Sequence, residues 1–223
     1  MIKMVVFDMA GTTVNENNVV YKTLQKAIQE AGFPVTLDQV LAEGAGKEKL
    51  EAIKSILKVF AGKQDEGLSN DIYKNFIAQL ETAYRDLDIY PQEGALEVFS
   101  QLKAKGIRVV LNTGYNKETA WSLTNKLGWK KGVEFDSLVT ASEVPNSRPN
   151  PDMIWLAMDQ FGLHERSEVA KVGDSVIDVE EGRNAGCGLV VGITTGAHSR
   201  AQLSTSNPDR IIDHLTELLP LLG

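Results

Sequence analysis

Short apolar runs recur along this chain of 223 residues, and stretches with helical spacing of apolar residues separate them. Most of the runs lack polar–apolar alternation, which is typical of strands buried on both faces. Alternating strands and helices predict an α/β fold with a doubly wound parallel sheet, because right-handed crossovers allow few other topologies. The predicted strands cover residues 2–8, 108–112, 137–140, 170–173, 188–192 and 210–212, and the main predicted helices cover 94–105, 117–127, 152–161 and 176–184.

The segment from about residue 19 to 87 interrupts this alternation, since it shows helical periodicity and no convincing strand. A break at residues 66–70 predicts that its last helix begins at Asp71. We therefore predict a cap domain of four or five helices, residues 17–88, inserted into a Rossmann-like catalytic core that comprises residues 1–16 and 89–223. Hinges are expected at residues 15–18 and 88–91.

Composition and charge argue against several classes of function. The net charge is −7 and no polybasic run is present, which disfavours nucleic acid as a partner. No apolar segment approaches the ~20 residues that a membrane span needs. Cys187 is the only cysteine, so no intrachain disulfide can form, and a cytoplasmic location is expected. The sequence is silent on oligomeric state.

The first predicted strand ends in Asp8, and a turn of small residues follows it. In open α/β sheets, ligands bind at the carboxyl ends of the strands. Gly11 allows the backbone to approach a ligand closely, and nearby N–H groups such as that of Thr12 can hold phosphate oxygens. Because a carboxylate at such a site would repel a phosphate, the turn predicts a divalent metal and further acidic residues elsewhere.

Further acidic residues follow the predicted strand at 170–173. Asp174 comes directly after it, and Asp178 lies in the first turn of the next predicted helix. Carboxylates from two strand ends suit Mg²⁺, which takes oxygen ligands and binds through one or two carboxylates plus substrate phosphate.

Two more segments supply groups for an anion. Thr113 and Gly114 follow the predicted strand at 108–112, and they offer a hydroxyl and an amide to a phosphate. Arg148 precedes Pro149 and a predicted helix, where it is expected to act as a fixed cation.

Taken in order, these segments resemble the four motifs of the haloacid dehalogenase superfamily. The likeness is greatest to the phosphonatase group and phosphonatase-like hydrolases, and it extends over the whole chain. The resemblance implies that Asp8 attacks phosphorus, that an aspartyl phosphate forms, and that water hydrolyses it. It also implies Mg²⁺ held by Asp8, the carbonyl of Ala10, Asp174 and Asp178, and phosphoryl binding by Gly11, Thr12, Thr113, Gly114 and Arg148.

Ala10 distinguishes the chain from most phosphatases of the superfamily, which carry a second Asp at this position as the general acid and base. The same alanine is a hallmark of the phosphonatase group. Lys47, Tyr115 or a metal-ordered water could deliver the proton instead, and the sequence does not choose among them. In phosphonatases a cap lysine forms a Schiff base with an aldehyde, and Lys47 falls in register with it. The neighbouring positions Glu43, Leu50 and Asn18 depart from the phosphonatase pattern.

We therefore predict a Mg²⁺-dependent hydrolase that acts on a small phosphorylated or phosphonate metabolite. The alternative is a phosphonoacetaldehyde hydrolase that cleaves a P–C bond through a Lys47 Schiff base. A phosphomutase is disfavoured by Ala10, dehalogenation by the pair Asp174 and Asp178, and a non-enzymatic binding protein by the intact motifs. Lys49 is expected to be a solvated lysine, and His198 is expected to lie at the surface near no motif.

Overall fold

Eight strands are present within residues 1–222, the part of the chain that the computed structural model describes. They are β1 (Met4–Asp8), β2 (Val14–Asn15), β3 (Tyr90–Pro91), β4 (Arg108–Thr113), β5 (Ser137–Thr140), β6 (Val169–Gly173), β7 (Leu189–Ile193) and β8 (Arg210–Ile212). Six of them form a parallel sheet with the order β5-β4-β1-β6-β7-β8. Every predicted strand is found within two residues of its predicted ends, and the predicted α/β fold class is confirmed.

The α-helices of the described residues lie between these strands. They are α1 (Val19–Glu30), α2 (Leu37–Gly44), α3 (Lys49–Ile56), α4 (Glu66–Asp86), α5 (Ala95–Ala104), α6 (Lys117–Lys126), α7 (Asp152–Gln160), α8 (Val176–Ala185) and α9 (Arg200–Ser204). A π-helical turn continues α3 over Leu57–Ala61, and a 3-10 helix covers Leu215–Leu222. The ends of α5 to α8 agree with the sequence prediction to within one residue.

The central strand β1 is covered on both faces, which explains why its sequence shows no alternation. Successive side chains of a strand point to opposite faces. Phe7 packs edge-on against Phe99 of α5, with ring centroids 5.4 Å apart. Met4 and Val6 belong to a separate apolar cluster on the other face, together with Met153 of α7. Because side chains on both faces of β1 are covered, apolar residues are favoured at successive positions of the strand rather than at alternate ones.

Helices α1 to α4 and the π-helical turn form an all-helical segment, residues 19–86, which we call the helical insert. Its buried side chains, among them Leu24, Ile53 and Phe76, join the apolar cluster on one face of the sheet. The last helix begins at Glu66, five residues before the predicted start at Asp71. The prediction was wrong because Asp65 caps the helix by accepting a hydrogen bond from the Leu68 N–H, so the apparent break is the first turn.

The two segments that connect the sheet to the helical insert form a small antiparallel sheet with each other. Strands β2 and β3 form an antiparallel ribbon in which Val14 faces Pro91 and Asn15 faces Tyr90. The sequence analysis identified these segments as hinges but did not predict their pairing. The ribbon brings the entry to and the exit from the insert side by side.

No α-helix within residues 1–222 combines the length and the apolar character that crossing a bilayer requires.

Candidate active site

The carboxyl ends of β1 and β6 bring three predicted carboxylates together. Asp8 is the last residue of β1, and Asp174 follows β6, the neighbouring parallel strand. One oxygen from each of Asp8, Asp174 and Asp178 lies within 4.8 Å of the other two, and all three residues are buried. The arrangement satisfies the geometric requirement of the predicted metal site.

The start of helix α8 positions Asp178. The Ser175 hydroxyl donates to Asp178 Oδ2 at 2.5 Å, and the Ser175 N–H donates to the same oxygen at 3.2 Å. The N–H of Asp178 in turn donates to Ser175 Oγ, which completes a capping box. The residue therefore caps the helix with one oxygen while Oδ1 faces the other carboxylates.

The turn after β1 and the loop after β7 enclose the carboxylate of Asp174. Thr12 Oγ1 donates to Asp174 Oδ1 at 3.1 Å, and the Ala197 N–H donates to Oδ2 at 2.6 Å. A Cβ atom on Gly11 would lie 2.5 Å from the same oxygen, and one on Gly196 would overlap it. Glycine is needed at both positions because the backbone approaches the carboxylate this closely. The sequence analysis missed the loop after β7.

Arg148 is buried at the centre of the site, as a predicted fixed cation would be. Its Nη1 donates to Asp8 Oδ1 at 2.7 Å, and its Nε donates to Glu181 Oε2 at 2.9 Å. Its Nη2 donates to the carbonyl and the side-chain oxygen of Asn112. All edges of the guanidinium are thus engaged, and its orientation toward Asp8 is fixed.

Three further buried residues support Arg148 and were missed by the sequence analysis. Lys171 Nζ lies 2.7 Å from Asn112 Oδ1, 3.0 Å from Asp178 Oδ1 and 3.1 Å from Glu181 Oε2. Asn112 Nδ2 also donates to Glu181. A signal was present, because a lysine inside an otherwise apolar strand must be paired when buried. Glu181 also lies three residues after Asp178, on the same side of the helix.

The buried charges of this cluster do not balance. Four carboxylates, Asp8, Asp174, Asp178 and Glu181, face only two cations, Arg148 and Lys171. Neither cation makes an aligned hydrogen bond with Asp178 Oδ1, although both lie within 3.0 Å of it. A divalent cation would offset the surplus of two negative charges. The residues present therefore fit a divalent metal ion.

The pKa values of the three aspartates reflect this surplus. Burial, and then the charge of Asp178, raises the pKa of Asp8 above its usual value. Burial together with Asp8 and Asp178 raises the pKa of Asp174 well above its usual value. Burial alone would also raise the pKa of Asp178, but Arg148 and Lys171 lower it to about 2. A bound cation would favour ionised Asp8 and Asp174.

The predicted phosphate donors lie at the same edge of the sheet. Thr113 ends β4, and its Oγ1 accepts a hydrogen bond from the Tyr115 N–H, so its own proton is left for another acceptor. The N–H groups of Gly11 and Thr12 donate to carbonyls within their own turn, at Val14 and Met9. Ala10 belongs to the same turn. Its side chain carries no proton that could be transferred.

Lys47 does not join this cluster. Its ammonium lies 3.2 Å from Glu43 Oε2 and 2.9 Å from Ser55 Oγ, both within the helical insert. Its carbonyl oxygen instead touches the sheet edge, since a Cβ atom on Gly114 would lie 2.6 Å from it. The expectation that Lys49 is solvated was wrong, because Lys49 is only 5% exposed. The buried lysine of this segment is therefore Lys49, two residues after the predicted Lys47.

His198 corrects a second expectation, since it is buried between the sheet and the insert. Its Nδ1 accepts from the Val176 N–H at 3.0 Å, and its Nε2 lies 3.2 Å from the Leu41 carbonyl of α2. The backbone N–H of His198 also donates to the Asp174 carbonyl. The loop after β7 folds back over the start of α8, which sequence spacing alone did not reveal.

An open cleft of about 790 Å³ lies between the helical insert and the loop that carries Arg148. Four lysines of the insert line it along with several acidic residues; the lysines are Lys47, Lys54, Lys58 and Lys63. The volume is within the range of small-molecule sites.

The sequence model of the haloacid dehalogenase-like hydrolases matches residues 2–186, so the chain belongs to this family. Among individual proteins, it is similar to the phosphonoacetaldehyde hydrolase of Bacillus cereus, with 30% identity over 209 residues that cover 88% of this chain and 77% of the relative. The predicted resemblance and the prediction of a hydrolase are thereby confirmed.

Two solved structures share the fold. One is a phosphonoacetaldehyde hydrolase-like protein from Oleispira antarctica, with a TM-score of 0.82, 23% identity and coverage of 99% of this chain and 91% of that chain. The other is a hydrolase from Pseudomonas syringae, with a TM-score of 0.87, 18% identity and coverage of 99% and 97%. At these identities the likeness concerns the fold alone.

Proposed function

We propose that this hydrolase uses Asp8 to remove a phosphoryl group from a small phosphorylated or phosphonate metabolite, with Mg²⁺ as its metal. The observation that carries the proposal is the convergence of Asp8, Asp174 and Asp178 within 4.8 Å, beside a buried arginine. Their excess negative charge suits a divalent cation, and the charge of that cation would allow the carboxylate nucleophile to approach a phosphate.

The metal would be held by the carboxylates of Asp8, Asp174 and Asp178 and the carbonyl of Ala10. When bound, the ion offsets the charge of the phosphoryl group and polarises its oxygens.

Asp8 performs the first chemical step. Because Arg148 holds Oδ1 at 2.7 Å, the carboxylate has a fixed direction and Oδ2 is available to attack phosphorus. The bond to the leaving group breaks and an aspartyl phosphate forms. Water then attacks the same phosphorus, releases phosphate and restores the carboxylate.

The transferring oxygens are stabilised by donors at the ends of β1 and β4. Arg148 places its charge 2.7 Å from Asp8 Oδ1, and the Thr113 hydroxyl and the Gly114 amide bind the phosphate oxygens, since the N–H groups of Gly11 and Thr12 donate within their own turn. Fixed donors of this kind stabilise charge that develops in the transition state.

The helical insert acts as the cap, residues 17–88, over a core of residues 1–16 and 89–223. The cleft gives a small metabolite a route to Arg148, and closure of the insert excludes water from the site. Such a reaction suits a cytoplasmic enzyme that acts on metabolites.

A second candidate is cleavage of the P–C bond of phosphonoacetaldehyde, which the name of the Bacillus cereus relative supports. It requires an imine between a lysine of the insert and the aldehyde. Borohydride reduction of the enzyme with phosphonoacetaldehyde tests it, since a stable adduct at Lys47 supports this candidate and the absence of any lysine adduct removes it.

The main proposal is tested with Asp8→Asn on a panel of phosphorylated metabolites and phosphonates, with and without Mg²⁺. We expect turnover of the best substrate to fall by about 10³-fold or more and to require Mg²⁺ in the unaltered enzyme. Asp71→Asn, at an exposed position of α4, is the matched control and should retain full activity. Full turnover by Asp8→Asn would overturn the proposal.

A further inference from the structure

Lys49, at the first position of α3, carries a buried ammonium group that has no carboxylate partner. The residue is 5% exposed, and its Nζ donates one hydrogen bond of 2.8 Å to the Lys47 carbonyl. Within residues 1–222, no carboxylate oxygen lies within 4.0 Å of this nitrogen. A buried cation is costly unless it is paired, so this one is available to a polar or anionic group that arrives with a substrate.

Two tyrosine rings hold the ammonium in place. The centroids of Tyr21 and Tyr115 each lie 5.4 Å from Lys49 Nζ, a distance at which the ring faces attract a cation. The Tyr115 hydroxyl is 2.7 Å from that of Tyr84, which donates to Glu16 at 2.9 Å. This buried series of hydrogen bonds fixes the position of the Tyr115 ring, and the ring position in turn fixes how the ring contacts the Lys49 ammonium.

The ammonium lies beside the catalytic edge of the sheet. The Lys47 carbonyl that it binds rests directly on Gly114, the residue after β4. The neighbouring strand ends in Asp8, which is paired in register with Asn112 of β4. Lys49 thus lies where the insert contacts the end of β4, the strand that neighbours the strand ending in Asp8.

The charged groups that act on Lys49 include two residues of the candidate active site, Asp8 and Arg148. Burial lowers the pKa of Lys49, and among the charged groups that counter this effect Asp8 is the strongest. The other charged groups that act on it are Glu48, Glu16 and Arg148. An ammonium with a lowered pKa gives up its proton more readily than a solvated lysine does.

We propose that Lys49, rather than Lys47, donates the proton to the leaving group, which is the task that Ala10 cannot perform. The inference rests on the proposed phosphohydrolase function. When Asp8 attacks phosphorus and the P–O bond breaks, the electron pair goes to the leaving oxygen, which takes a proton from Lys49 and departs as a neutral alcohol. When water attacks the aspartyl phosphate, the neutral amine accepts a proton from that water and the ammonium is restored.

The test compares two leaving groups in the enzyme and in Lys49→Met. Ethyl phosphate releases a poor leaving group that needs a proton, whereas p-nitrophenyl phosphate releases a stable anion that does not. We expect Lys49→Met to lose about 10²–10⁴-fold in kcat/KM on ethyl phosphate and less than about tenfold on p-nitrophenyl phosphate. Equal losses on both substrates would mean that Lys49 has only a structural role and would overturn the inference.

Two further variants complete the kinetic test. Lys49→Arg keeps the charge but is a much weaker acid, so it should restore folding and p-nitrophenyl phosphate turnover without restoring ethyl phosphate turnover. Lys74→Met is the matched control, since this exposed lysine of α4 pairs with Asp71 and does not line the cleft. Full ethyl phosphate turnover by Lys49→Arg would overturn the inference.

A measurement that needs no turnover separates this inference from the proposed function. In the protein with ¹³C-labelled lysine, the resonance that is lost in Lys49→Arg should titrate at a lower pH than a solvated lysine does. In Asp8→Asn it should titrate lower still, because an attractive charge has been removed. If the resonance titrates together with the solvated lysines, the inference fails even where Asp8 proves to be the nucleophile. If Asp8→Asn keeps full turnover, the proposed function fails instead.

Discussion

The ends of the central strands and the loop of the helical insert that lies against them hold their side chains in different ways. At the strand ends, Asp8 is held by strand register, Asp178 by a capping box and Arg148 by hydrogen bonds on every edge. In the loop between α2 and α3, Lys47 points to Glu43, while Lys49, at the start of α3, is buried over two tyrosine rings.

The difference follows from what fixes each side chain. A residue at the end of a buried parallel strand has a position that the sheet dictates, and its neighbours are the ends of adjacent strands. A residue in the loop has a position that depends on how the insert docks on the sheet. A shift of two residues exchanges a half-buried lysine for a buried one, and only the docked structure distinguishes them.

The largest difference between the two regions is expected in stability. Lys171→Met removes a buried cation from Asp178 and Glu181, and we expect the free energy of unfolding to fall by about 3–5 kcal/mol. Lys47→Met removes a half-buried ion pair with Glu43, and we expect a loss below about 1 kcal/mol. Urea denaturation of both variants measures the contrast. Equal losses would contradict the distinction between the two regions.

Replacing Arg148 tests the strand-end site through activity. Arg148→Lys cannot contact Asp8, Glu181 and Asn112 at once, so we expect kcat/KM to fall by about 10²–10³-fold. Arg183→Lys is the control. Its guanidinium also pairs with a carboxylate, that of Asp209, but at the surface away from the site. A similar fall in both variants would show that the geometry around Asp8 is not the cause.

Much of the fold and of the phosphoryl half of the site could be predicted from the sequence, for reasons that individual residues illustrate. Asp8 and Asp174 end apolar runs, and parallel strands bring such ends together whatever the rest of the chain does. The supporting contacts of Lys171 with Glu181 depend on which helix covers which strand, so only the unusual lysine in an apolar strand gave a sign of them. The burial of His198 depends on a loop that folds back over α8, and no periodicity encodes that path.

Glu16, next to the ribbon that joins the two regions, predicts a pH dependence of stability. Burial raises its pKa to about 7, although the Val20 N–H and the Tyr84 hydroxyl partly counter this effect. Because the folded state keeps a proton that the unfolded state loses near pH 4.5, stability should fall by roughly 3 kcal/mol as the pH rises from 4.5 to 7 and then level off. Urea midpoints across this range, compared with those of Glu16→Gln, isolate the contribution. An unchanged slope in the variant would exclude Glu16 as its source.

The smallest expected effect concerns how closely the loop of the insert docks on the sheet. Gly46 and Gly128 both have positive φ, +76° and +72°, so alanine at either position should strain the backbone by about 1 kcal/mol. Only at Gly46 would the added Cβ meet the other region, because it would overlap Ser175 Oγ and lie 3.1 Å from Ile177 Cβ. We therefore expect Gly46→Ala to lower kcat/KM by about tenfold through misplacement of the loop, and Gly128→Ala to leave it unchanged. Equal kcat/KM in the two variants would mean that the reaction does not require the docked position of the loop, and the contribution assigned to Lys49 would then have to come from the strand ends.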